Sequence, residues 1–356
     1  MMLNKDFGVY VHVPFCAHRC GYCAFATWTD RGHLEARYMS AVRTEIGRAV
    51  AGGMPLATSV FVGGGTPSLV DPADLAATIA TIPLAEGSEV TVECNPDDVD
   101  SRLLNELISV GVNRISLGVQ SMARHVLTVL DRRHNPDNVV RAVDEIRAAG
   151  IQTFNLDLIY GAHGESNHDW ESTVRAALDL DPPHVSAYGL TVEPGTPLAD
   201  LPNLHPDDDV QADRYEIVDE MLAAGGLENY EVSNWAKPGH ECRHNLLYWR
   251  QQDYTGFGCA AHSHREGRRW WNVRTPDRYV DLVERGESTE AAAEELDEQT
   301  RAFEGLELSL RLREGVPLSA LDGEELPGLV VRVGEQWVLT RRGRLMANEI
   351  STRLRT

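Results

Sequence analysis

Three of the chain's six cysteines fall inside one stretch, PFCAHRCGYCAF, at Pro14 to Phe25. Cys16, Cys20 and Cys23 stand in a Cys-x3-Cys-x2-Cys spacing. A disulfide framework needs pairs, and structural zinc takes four protein ligands, so a zinc reading needs a distant Cys or His to complete it. Iron–sulfur clusters are normally held by cysteine thiolates. Three thiolates would hold three irons of a four-iron cluster and leave the fourth open to a small chelating ligand. Phe25 stands where a further cysteine would extend the run.

Other groups with chemistry to offer recur along the chain. Gly63, Gly64 and Gly65 precede Thr66, and glycines let a backbone approach a ligand closely. Glu93 can accept from hydroxyls or an ammonium, Gln120 both donates and accepts, and Arg132 suits a forked contact with a carboxylate. Asp157 offers a further acceptor. Taken singly, each equally suits a rim hydrogen bond. His244 lies in RHNLLYW, two residues after Cys242; His262 and His264 lie in AAHSH, after Cys259. Alternation in a strand would put His262 and His264 on one face, as rim residues or near a metal or a propionate. His12 lies just before the cysteine run and His18 within it, near enough to tune a cluster or touch a ligand, and Cys94 reads as a small buried hydrophobe.

These residues need elements to position them. Strand patterns cover 8–15, 59–65, 89–95, 114–120, 153–161, 184–192 and 228–235. Helical patterns cover 34–51, 73–81, 101–110, 137–149, 168–180 and 207–224. Asp100 and Pro136 suit helix starts, and Gly150 suits a position just past a helix end. The alternation predicts a parallel sheet with right-handed crossovers, open or closed into a barrel. The candidate residues gather at the strands' C-terminal ends, with Asp157 ending the fifth, where barrel-type sheets build sites. Beyond about 295 the pattern becomes helix, hairpin and helix, with Gly334 and Glu335 at the turn.

Composition narrows the function classes. Apolar residues make up 42% of 356, enough for a core, and no apolar run approaches the roughly 20 residues of a spanning helix. The first residues lack a signal-peptide pattern and read as a short tail into a strand. A cytoplasmic protein with reduced thiols is expected. The net charge of −21 argues against nucleic-acid binding, including by the C-terminal hairpin unit.

YVHVPFCAHRCGYC, FVGGGTPSL, ECNPDD, RISLGVQS, NLDLIYG, LTVEPGTPL and RHNLLYW together resemble the radical S-adenosylmethionine (SAM) superfamily. The likeness is to the branch of oxygen-independent coproporphyrinogen III oxidase and HemW-type heme chaperones. The resemblance implies an α/β fold, a partial (β/α)6 barrel, with a small C-terminal helical or winged-helix-like domain. The expected divisions are 1–236 for the barrel, 237–294 for an extension of the site and 295–356 for the C-terminal unit. It implies a [4Fe-4S] cluster on Cys16, Cys20 and Cys23. It implies SAM contacts at Tyr10, Tyr22, Gly64, Gly65, Thr66, Glu93, Gln120, Arg132, Asp157 and Gly189.

Within that branch, Phe25 replaces the oxidases' additional cysteine, only 15 residues precede Cys16, and HNLLYW matches the HNxxYW of the chaperones. The implied function is heme binding and delivery to hemoproteins, peripherally at a membrane, with His244 a candidate iron ligand. An electron donor, if SAM is cleaved, and a second copy of the chain are the other expected partners. The alternative is radical decarboxylation of coproporphyrinogen propionates.

Overall fold

The computed structural model describes residues 6–356, so the leading tail falls largely outside the described residues. Six strands alternate with helices: β1 (Phe7–Val13), α1 (Glu35–Ala51), β2 (Ala57–Gly64), α2 (Pro72–Ile79), β3 (Leu84–Cys94) and α3 (Ser101–Ser109). The series continues with β4 (Arg114–Gln120), α4 (Arg124–Val129), α5 (Asp137–Ala148), β5 (Thr153–Tyr160), α6 (Asn167–Asp179), β6 (His184–Gly189) and α7 (Asp208–Ala224). Strands β1 to β6 lie side by side and parallel, the partial barrel expected. Asp100 caps α3 by accepting from the Leu103 amide at 2.8 Å. Pro136 opens α5, and Gly150 follows it at φ +87°.

The period of two separates core from site. Val9, Val11, Val60, Val62, Val90, Val92, Ile115 and Leu117 are buried in one continuous core. The residues between them turn inward: Tyr10, Phe61, Thr91, Glu93 and Ser116 line a cavity inside the sheet. β5 and β6 repeat the rule, with Leu156, Leu158 and Val185 in the core and Asn155, Asp157 and Ser186 inside.

The seventh expected strand departs from the parallel rhythm. It splits into β7 (Glu228–Glu231) and β8 (Asn234–Ala236), an antiparallel hairpin whose second strand pairs with β6. A two-residue reversal at Val232 and Ser233 has no room for the dozen or more residues of a parallel crossover. Glu231 closes the turn by accepting from the Ser233 amide at 3.1 Å.

The chain then returns to the far edge of the sheet. Helix α8 (Arg243–Trp249) leads to β9 (Asp253–Phe257), which runs parallel to β1. β10 (His262–Arg265) and β11 (Arg268–Asn272) add antiparallel strands, α9 (Pro276–Arg285) intervenes, and β12 (Glu290–Glu295) forms the edge. Among the described residues this sheet holds twelve strands, open between β12 and β7.

The remaining elements are α10 (Glu298–Leu310), β13 (Val316–Pro317), β14 (Val330–Val333), β15 (Gln336–Leu339), α11 (Arg341–Leu345) and α12 (Ala347–Ser351). They pack around a second core containing Leu310, Val316, Leu339 and Ile350. The β14–β15 hairpin turns at Gly334, φ +60°, and Glu335. The expected closing helix is two short ones, broken at Met346.

Candidate functional site

β1 ends at Val13, and the chain loops out and back. The Cys16 amide donates to the Trp28 carbonyl at 3.1 Å, and the Trp28 amide to Pro14 at 2.8 Å. This clasp closes a loop that carries Cys16, Cys20 and Cys23, all free and half-buried. Tyr22 packs against a small apolar cluster that includes Val126 of α4, a helix the sequence reading missed. The Thr66 hydroxyl donates to Cys16 Sγ at 3.6 Å, and the Arg132 guanidinium reaches Cys20 Sγ at 3.8 Å. Burial pushes the Cys16 and Cys23 thiols up, so ligation would have to displace their protons.

Among the described residues no three His, Cys, Asp or Glu side chains are grouped as the ligands of one metal ion. A four-iron cluster asks for something different, since each thiolate takes its own iron. A loop of three thiols beside a hydroxyl and a guanidinium fits that group.

The glycine run forms a ledge against this loop. A Cβ on Gly65 would stand 2.7 Å from the Val13 and Phe15 carbonyls. One on Gly64 would stand 2.3 Å from His12 Nδ1, and Gly64 has φ +107°. His12 is itself fixed. Its Nε2 lies 2.9 Å from the Ala26 carbonyl and its Nδ1 2.9 Å from the Tyr10 hydroxyl. A carbonyl only accepts, so Nε2 carries the proton and Nδ1 accepts from Tyr10. Burial holds His12 near a pKa of about 4, hence neutral. The Gly64 amide donates to Glu93 at 3.0 Å. Burial first, then the charge of Asp157, raises Glu93 to about 7.

Gln120 closes β4 at φ +62°, beside a register shift against β5. The Arg132 guanidinium crosses there, donating to the Gly118 carbonyl at 2.7 Å, and its buried Nε has no partner. A Cβ on Gly118 would stand 2.8 Å from that guanidinium, so a glycine in mid-strand marked the crossing and was overlooked. Asp157 does not end β5, which runs on to Tyr160. It faces the barrel interior and accepts from Ser116 and Asn155, both at 2.8 Å. Gly189 ends β6, beside Gln211.

Two cavities open between these parts. The larger, about 850 Å³, is lined by Gly64 and by Ala24 to Ala26 of the cysteine loop. The smaller, about 210 Å³, lies within the strands. Tyr10, Glu93 and Tyr248 line both. Phe25 lies at the larger one and is 64% exposed.

His244 lines the smaller cavity at 1% exposure. Its Nδ1 meets Ser59 Oγ at 3.0 Å and its Nε2 the Tyr248 hydroxyl at 2.8 Å. Its ring stacks on Phe61, centroids 5.5 Å apart, and burial lowers it to about 3. Both ring nitrogens are therefore engaged. His262 and His264 share one face, as strand alternation predicts, and both line the larger cavity. His18 Nε2 pairs with Asp131 at 2.8 Å. Cys94 is buried in the main core; Cys242 donates to Glu89 at 3.7 Å, and Cys259 accepts from Tyr38 at 3.5 Å.

Comparison with known proteins accords with this geometry. The Radical SAM superfamily profile matches residues 10–177. The heme chaperone HemW of Mycobacterium tuberculosis H37Rv is 42% identical over 369 residues, spanning 98% of this chain and 95% of that protein. The heme chaperone HemW of Escherichia coli K12 is 34% identical, spanning 98% of each. Among solved structures, the coproporphyrinogen III oxidase of Escherichia coli, a radical SAM enzyme, superposes with a TM-score of 0.85 at 20% identity. That match covers 98% of this chain and 89% of the other, and it carries the fold. No helix among the described residues is long and apolar enough to cross a membrane. With full-length relatives at this identity, the chain belongs to the HemW family of the radical SAM superfamily.

Proposed function

We propose that this protein carries heme and delivers it to hemoproteins, membrane-bound ones among them, from a cytoplasmic location. The cluster ligands would be Cys16, Cys20 and Cys23. SAM would sit against Gly64, Gly65, Thr66 and Glu93, with Tyr10, Tyr22, Gln120, Arg132, Asp157 and Gly189 around it. The cluster, when bound, supplies an open iron for a chelating ligand and a one-electron couple.

The observation that supports the reading best is the larger cavity. At about 850 Å³ it falls within the roughly 300–1,000 Å³ of small-molecule and cofactor sites. It reaches from the cysteine loop to an antiparallel wall of histidine and aromatic side chains. Phe25, in place of a further thiol, contributes apolar surface there. His244 remains the HNLLYW candidate for iron, and would ligate through Nε2 only on releasing Tyr248. Anaerobic titration of the cluster-loaded protein with hemin is expected to saturate at about one heme per chain, with a shifted Soret band. Unsaturable, non-specific uptake would overturn the reading.

The protonation of Glu93 gives a second expectation. Its carboxyl is raised from 4.5 to about 7. The stability it contributes is full below about 4.5 and is lost as pH rises through about 7. Affinity for SAM moves the other way, because the carboxylate form accepts from the ribose or ammonium. Calorimetric titration between pH 6 and pH 8 should show SAM affinity rising about tenfold, as the ionised fraction does for a group near 7. Glu93→Gln should flatten the profile. An equally steep profile in that variant would remove Glu93 from the contact.

A further inference from the structure

One wall of the larger cavity is unused by the cluster and SAM assignments. It is the inner face of β9, β10 and β11. Register pairs His264 with Tyr254 and Arg269, and His262 with Trp271. All five line the cavity.

His264 is set up unlike the other histidines of the site. It is 3% exposed. Its Nδ1 lies 3.2 Å from the Gln252 carbonyl, which only accepts, so Nδ1 carries the proton. The lone pair is then on Nε2, which is buried and has no hydrogen-bond partner. A buried acceptor left unmade is unfavourable, and native structures rarely keep one without a reason. Metal-ligating histidines commonly donate the other ring N–H to a carbonyl or carboxylate, which fixes tautomer and ring orientation. His264 has that arrangement already. His244 would first have to break a 2.8 Å hydrogen bond.

The surroundings suit a flat, anionic, iron-bearing ring. His262 stacks on Trp271, centroids 5.6 Å apart and planes at 24°. Arg269 is held by Glu294 and Glu304, each at 2.9 Å. Arg274 also lines the cavity, is exposed, and among the described residues has no ion-pair partner. It is a guanidinium available to a carboxylate.

We propose that His264 Nε2 is the axial ligand to heme iron in this cavity, with Arg274 receiving a heme propionate. The proposal rests on the heme-carrier reading. Trp271 and Phe25 supply the apolar contact, and Tyr254 packs beside the ligand. Bond formation moves no proton, since Nε2 donates a lone pair it already holds.

The test is hemin titration of the cluster-loaded protein, read by Soret absorbance and by electron paramagnetic resonance of the ferric iron. His264→Gly should lose the iron–imidazole signature and weaken binding at least tenfold, and added imidazole should restore the signature. His264→Gln, close in volume, should give the same loss with the cluster spectrum intact. Arg274→Leu should weaken hemin about tenfold, as one lost charge-assisted contact does, and leave hemin dimethyl ester unaffected. An unchanged iron signature in both His264 variants, with loss in His244→Ala, overturns the ligand assignment while the carrier reading stands. Failure of the unsubstituted protein to bind hemin at all removes the carrier reading itself.

Discussion

Cys20→Ala is expected to empty the protein of iron. Anaerobic reconstitution should load the parent chain with about four irons and leave the variant close to none. With three thiolates, each iron but one has a protein ligand. With two, half the cluster has none, and hydrolysis and loss follow. Cys20 is also the thiol that the Arg132 guanidinium approaches, at 3.8 Å. Cys94→Ala is the control, because that thiol is buried in the main core, away from the loop. It should keep full iron and acid-labile sulfide. Equal iron in the Cys20 and Cys94 variants would show that the loop does not hold the cluster.

Gly64→Ala should be the most damaging small substitution in the SAM site. The new methyl would lie 2.3 Å from His12 Nδ1 and 3.1 Å from the Tyr10 hydroxyl, at φ +107°. His12 has no easy retreat, being buried and pinned between Tyr10 and the Ala26 carbonyl. Strain and overpacking together should cost about 2–4 kcal/mol of folding stability. Movement of the ledge should also weaken SAM binding about 100-fold, which corresponds to ~2.7 kcal/mol. Gly53→Ala separates the two causes. Gly53 also has positive φ, +87°, but an added Cβ meets nothing within 4 Å. Its variant should lose about 1 kcal/mol and no SAM affinity. Equal losses in chemical denaturation would mean that the His12 contact contributes nothing.

How much of this was legible beforehand follows from how local each signal is. The cysteine loop, the glycine ledge and the Asp100 cap are short-range patterns, and they stand where their spacing put them. The inward set of polar strand residues was also readable, because alternation is local. Asp157 was misplaced by the same reasoning, since the end of β5 at Tyr160 depends on pairing with β6 and not on its own residues.

The antiparallel turn of β7 and β8 hinged on two residues, Val232 and Ser233, that carry no Gly or Pro signal. The state of the histidines was out of reach altogether. His244 Nδ1 is engaged by Ser59, 185 positions away, and the tautomer of His264 depends on a carbonyl twelve positions back. Motif matching pointed to His244, whereas hydrogen bonding points to His264. Only the folded sheet, with β9 returning to pair with β1, puts the His264 face beside the cysteine loop.

The central proposal is that this radical SAM fold carries heme as cargo, with radical decarboxylation of coproporphyrinogen as the competing reading. One paired measurement on a single cluster-loaded sample addresses it: hemin binding, followed by anaerobic incubation with reductant, SAM and coproporphyrinogen III. About one tightly held heme per chain and no vinyl-bearing product are expected. Stoichiometric vinyl product with 5′-deoxyadenosine, and no saturable hemin binding, would contradict it.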